Sequence, residues 1–164
     1  MKTIARRTKN DLSENVRGKM IELLNQQLAD VLDLGLQAKQ AHWNVKGPHF
    51  IGLHELFDKV AEEMEEYIDA IAERAVELGG VAQGTAQVIV KSSRLAVYPL
   101  DLTSGKEHVT ALSSALAKFG ASTRAAIDAA GKDGDADTAD LFTEVSRGVD
   151  KLLWFVEAHA QAKE

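Results

Sequence analysis

Cysteine is absent from the 164 residues, which removes disulfide staples, thiolate metal sites, iron–sulfur ligation and thiol nucleophiles together. Only two prolines, Pro48 and Pro99, interrupt the chain, and aromatic residues make up just 5% of it, so helix breakers are scarce and any core is chiefly aliphatic. No apolar run approaches the roughly eighteen residues of a membrane span. The opening Met1-Lys2-Thr3-Ile4-Ala5-Arg6-Arg7 lacks the apolar stretch of a secretory signal. The expectation is a soluble, cytoplasmic protein whose chemistry relies on histidines, carboxylates or aromatics. Its length and an apolar content of 45% suit one buried core in a single domain. Acid outweighs base for a net charge of −6, yet residues 1–10 hold Lys2, Arg6, Arg7 and Lys9 and no acid, which leaves −10 on the remainder. A flexible basic tail over residues 1–12 is expected to precede an acidic domain over residues 13–164.

What is present is helical periodicity. The first stretch repeats through Val16, Met20, Leu24, Leu28, Val31 and Gly35, with Asp11 and Glu14 offering a capping box, and ends near His42 before Asn44 to Pro48. The second runs through Leu53, Phe57, Val60, Met64, Ile68, Ile71, Ala75 and Leu78 and stops at Gly79-Gly80. The third starts at Ser104, with Glu107 three residues on, and continues through Val109, Leu112, Leu116, Phe119, Thr123 and Ile127. The fourth follows a loop from Gly131 to Asp137 and carries Leu141, Val145, Val149, Leu152 and Val156. The connection over residues 79–103 is long, and its Gln87 to Val90 stretch reads as a small helix or extended piece. The fold class expected is all-α: a four-helix bundle with one long crossover containing a short helix, the feature that separates ferritin-like bundles from simple up-and-down ones.

On a wheel of about 100° per residue, the apolar stripe of the second helix faces inward and His54, Asp58, Asp69 and Glu73 point away from it. His54 with Asp58 and Asp69 with Glu73 are i, i+4 pairs, each a chelating unit suited to ferrous iron, manganese or zinc. The pairs are eleven residues apart at their nearest, about 16 Å of helix, too far to share one metal within a chain. However, 54 with 73 and 58 with 69 are both centred on position 63.5. Two copies of this helix packed antiparallel about a twofold axis there would place His54 and Asp58 of one chain opposite Glu73 and Asp69 of the other, twice over. His42 precedes Pro48 by six residues and His54 follows it by six, so the turn brings His42 in as a third ligand. Glu62 and Glu65 also face outward at the axis, where each would repel its counterpart unless relieved by a basic neighbour, a metal or splaying into water. The string His54-Glu55-Leu56-Phe57-Asp58 lacks the second histidine of a zinc-protease motif. The remaining histidines, His49, His108 and His159, are expected on the surface or at caps.

These residues also carry a family likeness. The stretch H-W-N-V-K-G-P-H-F-I-G-L-H-E-L-F-D, His42 to Asp58, and I-D-A-I-A-E-R-A-V-E-L-G-G, Ile68 to Gly80, resemble the paired signatures of the Dps proteins, DNA-binding proteins from starved cells. The likeness continues through Ala82-Gln83-Gly84-Thr85, Tyr98-Pro99-Leu100-Asp101 and Asp150-Lys151-Leu152-Leu153-Trp154-Phe155, covering most of the chain. The resemblance implies a ferritin-like subunit of a hollow dodecamer that oxidises Fe(2+) to Fe(3+), with hydrogen peroxide as the preferred oxidant, and stores the product as a mineral. It assigns the catalytic and metal-binding roles to His42, His54 and Asp58 of one subunit and Asp69 and Glu73 of the twofold-related one. It also implies an acidic iron-entry pore near Asp133, Asp135, Asp137 and Asp140, a cluster that equally complements the dipole at the start of the fourth helix.

In the mechanism expected, two ferrous ions pass two electrons to one peroxide so that water rather than hydroxyl radical is released. Trp43 and Trp154 either quench stray oxidising equivalents or pack in the core. The tail residues Lys2, Arg6, Arg7 and Lys9 offer DNA a non-sequence-specific phosphate contact by counterion release, which would place the protein on the nucleoid. The alternative is a nucleoid-compacting DNA-binding protein whose metal sites are structural, without turnover. Removing residues 1–10 is expected to abolish a low-salt gel shift with duplex DNA; an undiminished shift would exclude the tail as the contact.

Overall fold

The computed structural model describes residues 6–161. Its helices are α1 (Glu14–Asn44), α2 (Phe50–Glu77), the short α3 (Ala86–Ser92), α4 (Gly105–Asp133) and α5 (Ala136–Glu157). Among the described residues there is no strand, only an isolated bridge between Lys46 and Ser104. At Ser104 the expected capping box forms in full, Ser104 Oγ accepting from Glu107 N while the Glu107 carboxylate accepts from Ser104 N at 2.9 Å.

Two boundaries differ from the sequence reading. The cap of α1 is Ser13, whose Oγ accepts from Val16 N at 3.3 Å, not Asp11. The reason is local: Asn10 Oδ1 accepts from Leu12 N, and Arg17 Nε donates to the Leu12 carbonyl, which holds residues 10–12 in a turn outside the helix. The loop expected from Gly131 to Asp137 shrinks to Gly134 and Asp135. Gly131 continues α4, and the chain leaves the helix only at Gly134, whose φ of +87° makes it the left-handed cap.

The α1–α2 and α4–α5 pairs form two hairpins; α1 then lies against α4 and α2 against α5. Their apolar faces meet in one core that includes Phe57, Phe119 and Phe142, all fully buried. Each such side chain contributes about 1.5–3 kcal/mol of burial. This is the four-helix bundle with a single long crossover that the periodicity predicts, and α3 is the short helix within the crossover, packed on α1.

A second, polar face of α1 holds that crossover in place. Asn25 Nδ2 donates to the Val81 carbonyl, Gln26 Nε2 to the Ser92 carbonyl and Gln37 Nε2 to the Ala96 carbonyl, at 3.1, 2.9 and 3.0 Å. Between them the buried Asp30 accepts from Arg94 N at 2.8 Å and from its guanidinium at 2.9 and 2.5 Å, while Asp33 accepts from Ser93 Oγ. Residues 26, 30, 33 and 37 share one side of a helix by their spacing, so the whole row reaches the crossover at once.

The N-terminal segment is tied to the end of α2. Arg17, buried, donates from Nη1 to the Leu78 carbonyl at 3.1 Å, and Arg6 N–H donates to the Gly79 carbonyl at 2.6 Å. Gly79 has a φ of +88°, and a Cβ on it would lie 2.6 Å from the Arg6 carbonyl oxygen, so only glycine allows this approach.

Gly148 on α5 serves a different purpose. A Cβ there would lie 1.7 Å from the hydroxyl of Tyr67, which is buried on α2 and donates to Glu63 Oε1 at 2.8 Å. Gly148→Ala is expected to cost roughly 1–3 kcal/mol by overpacking, seen as a lower urea midpoint, and adding Tyr67→Phe should recover part of the loss. An unchanged midpoint would show that Tyr67 leaves the notch without penalty.

Candidate metal centre

The last turn of α1 and the first turns of α2 meet across the bend at residues 45–49. Gly47 turns the chain with φ +112°, and Lys46 N donates to the Thr103 carbonyl at 3.0 Å, so the bend is fixed to the segment entering α4. His42 and His54 then stack, ring centroids 3.7 Å apart and planes 21° from parallel. His42 Nδ1–H donates to the His54 carbonyl at 2.7 Å, and His54 Nδ1–H donates to the His42 carbonyl at 2.8 Å. A carbonyl oxygen can only accept, so the proton of each neutral ring sits on Nδ1 and the lone pair on Nε2. Outer-sphere bonds of this kind orient imidazoles for metal binding.

Asp58 lies one turn along α2 from His54, with Oδ1 3.8 Å from His42 Nδ1. Lys39, one turn before His42, reaches the same oxygen at 2.5 Å. The hydrogen bond from Lys39 is the main reason the Asp58 carboxyl is held below the usual carboxylate range, and burial, the next largest influence, opposes the shift. The ammonium also lies 5.7 Å from the centroid of the Trp43 ring.

Asp69 and Glu73 are exposed farther along α2. Among the described residues of this single chain, no three His, Asp or Glu side chains close around one point as a metal cage would require. The fold therefore brings together His42, His54 and Asp58 at one end of α2 and leaves Asp69 and Glu73 remote on the same helix. Two imidazoles with one carboxylate make a partial donor set suited to a divalent first-row cation such as ferrous iron.

Residues 21–163 match a family model described as a ferritin-like domain. The chain is 46% identical over 157 residues to a DNA protection during starvation protein of Agrobacterium fabrum, covering 96% of this chain and 97% of that one. The chain belongs to the ferritin-like Dps family. Solved structures agree in shape. DpsA14 from Streptomyces coelicolor superposes with a TM-score of 0.91 at 33% identity, covering 98% of this chain and 95% of that one. Dps from Microbacterium arborescens in a high iron form gives 0.86 at 31%, covering 92% and 97%.

The other residues singled out by sequence are placed as follows. Trp43 and Trp154 are 64% and 60% exposed, so neither packs in the core of the subunit. Of the acidic cluster, Asp135 is 2% exposed: it caps α5 through Thr138 N and receives Arg74 Nη2 at 2.9 Å. Asp133 receives Lys19 Nζ at 2.5 Å, while Asp137 and Asp140 are exposed. Arg6, Arg7 and Lys9 are exposed, and Lys2 lies outside the described residues. Glu62 and Glu65 are both exposed near the expected axis.

One expectation is overturned. His108 is neither a surface nor a capping residue but is 1% exposed, with Nδ1 2.7 Å from the hydroxyl of Tyr98. It precedes Leu112 by four residues, so the apolar stripe of α4 already passed through it. Sequence reasoning also missed Lys39, which lies three residues before His42 on one side of α1.

The ion pair gives a direct test. Lys39→Met is expected to move the Asp58 carboxyl up toward its ordinary range in a carbon-detected NMR titration of the metal-free protein. Because the folded value is lowered, the contribution of this pair to the fold is complete above the ordinary carboxylate range and lost as pH falls through the lowered value. An Asp58 titration identical in both proteins would remove Lys39 as the cause.

Proposed function

We propose that this protein oxidises ferrous iron at sites shared between two subunits and stores the ferric product inside a twelve-subunit shell. One observation carries the reading: His42 and His54 fix each other through main-chain carbonyls, which leaves Nε2 of each ring as the lone-pair nitrogen, and the Asp58 carboxylate belongs to the same cluster, 3.8 Å from His42 Nδ1. The bond from His54 Nδ1 satisfies a carbonyl in the last turn of α1, and the two bonds together also orient both rings as ligands. The exposed Asp69 and Glu73 lie at the positions from which a second copy, turned about the centre of α2, completes the set. The high iron form of Dps from Microbacterium arborescens, similar in fold to this chain, supports iron as the substrate.

In this reading Lys39 holds the Asp58 carboxylate until a cation displaces it. His42, His54 and Asp58 then bind ferrous iron, and Asp69 and Glu73 of the partner subunit add the negative charge that favours the ferric product. Two ferrous ions reduce one hydrogen peroxide, taking up two protons and releasing two waters. Asp137 and Asp140, the exposed members of their cluster, attract incoming cations toward the shell. The exposed Arg6, Arg7 and Lys9, with Lys2, contact DNA phosphates, and twelve tails act together through avidity. Such a protein works in the cytoplasm on the nucleoid, protecting DNA by removing ferrous iron and peroxide together.

The test is stopped-flow absorbance of anaerobic ferrous-loaded protein mixed with hydrogen peroxide. Rapid ferric formation at two irons per peroxide is expected in the wild type and a loss of at least about tenfold in rate with His54→Ala plus Asp58→Ala, equivalent to about 1.4 kcal/mol or more in the barrier. Equal slow rates in both would favour nucleoid compaction with structural metal sites and no turnover.

A further inference from the structure

We infer that Tyr98 and His108 form a buried electron and proton donor, Tyr98 supplying the electron and His108 Nδ1 receiving the proton, which quenches one-electron oxidants arising at the neighbouring metal centre. The inference rests on the iron-oxidising reading above and adds to it a protective step on residues outside the ligand set.

The geometry is that of a preformed pair. Tyr98 is 8% exposed and His108 1%; the hydroxyl stands 2.7 Å from Nδ1, and the rings are 19° from parallel. With the phenol donating to Nδ1, the imidazole proton lies on Nε2, which is buried and makes no hydrogen bond of good geometry. The carbonyls of Leu102 and Asn44 nevertheless interact with this ring and favour its charged form, so an imidazolium made by transfer from Tyr98 would meet acceptors already in place. Burial works in the opposite direction and is the larger effect, so His108 rests neutral with Nδ1 able to accept. Burial also raises the phenol of Tyr98 well above its ordinary range, so it does not ionise before oxidation, and proton and electron leave together.

The pair packs against the segments that carry the ligands. The His108 ring centroid lies 6.4 Å from that of Phe57, the chain neighbour of Asp58, and Asn44 is two residues from His42. When peroxide meets a single ferrous ion, one electron reduces it to hydroxide and hydroxyl radical. Tyr98 gives the second electron, directly or through an intervening oxidised side chain. The radical becomes hydroxide and the phenolic proton crosses to His108 Nδ1, so that one peroxide leaves as two hydroxides with one ferric ion, one tyrosyl radical and one imidazolium. A later ferrous ion returns one electron to the tyrosyl radical as the proton moves back from His108, and that iron becomes ferric. No bond to carbon forms or breaks.

The chain has only one other tyrosine, Tyr67, which supplies the control. Its hydroxyl donates to Glu63 in the notch at Gly148, and it lies nine residues from Asp58 and two from Asp69, so it tests whether any buried tyrosine near a ligand serves or only the one paired with a histidine.

The experiment loads the assembled protein with fewer ferrous ions than sites, mixes it with hydrogen peroxide, and follows ferric absorbance and freeze-quenched electron paramagnetic resonance in parallel. A transient tyrosyl signal is expected in the wild type and in Tyr67→Phe and lost in Tyr98→Phe, with the initial rate of ferric formation equal in all three. A signal that survives Tyr98→Phe, or disappears only in Tyr67→Phe, overturns the proposal, as does normal ferric formation in the wild type with no tyrosyl signal. Absence of ferric formation defeats the iron-oxidising reading and this proposal with it, and the absorbance channel separates that case from the previous one. Should Tyr98→Phe fail to assemble, electron–nuclear double resonance on wild type labelled with nitrogen-15 histidine decides: coupling of the radical to an exchangeable proton and an imidazole nitrogen supports His108 as acceptor, and its absence refutes it.

Discussion

A bundle helix ordinarily has one face to bury, but α1 has two, because the crossover lies along the side turned away from the bundle axis. That second face is polar, and at its centre the buried Asp30 carboxylate is satisfied by three hydrogen bonds from the Arg94 main chain and guanidinium and a longer one from Gln26. With its neighbours in the row, Asp33 and Gln37, it fixes the chain after Ser92 to α1. It sets where the crossover turns, how Tyr98 enters the core and where Ser104 arrives to cap α4. The second hairpin is thus positioned from the first by a polar contact, and the apolar core fills the space between them.

The metal centre draws on the same economy of parts. The bend between α1 and α2 is bonded to Thr103, just before the cap of α4, so the crossover anchored at Asp30 ends beside the ligands. His108 packs near this junction against Phe57 and Tyr98. Ligand geometry, helix capping and the burial of the Tyr98–His108 pair are therefore neighbours in one small region at one end of the bundle.

The periodicity of apolar residues was enough to read the helices, the crossover and the outward direction of His54, Asp58, Asp69 and Glu73, because one helical period governs both burial and exposure. Boundaries were less legible. Asp11 and Ser13 are both good caps by type, and the choice between them was made by Asn10 and Arg17, whose bonds are tertiary or turn-specific. Gly131 reads as a breaker but is absorbed by a long helix, while Gly134 with its left-handed conformation ends it. Lys39 and His108 were missed for opposite reasons: a lysine on a helix is usually solvated, and a histidine within an apolar stripe shows its partner only when Tyr98 is folded against it.

The carbonyls that receive His42 Nδ1 and His54 Nδ1 belong to the main chain of the two histidines themselves. No substitution at a neighbouring position can delete either acceptor, so the tautomer of both rings is inherited with the backbone path of the bend. Apart from Gly47, whose positive φ makes the turn, side chains around the centre supply neither acceptor. An insertion or deletion between residues 43 and 53 is another matter, since it would shift one carbonyl out of register with the opposite ring and release both imidazoles at once. The length of this bend is therefore what ligand orientation constrains most directly.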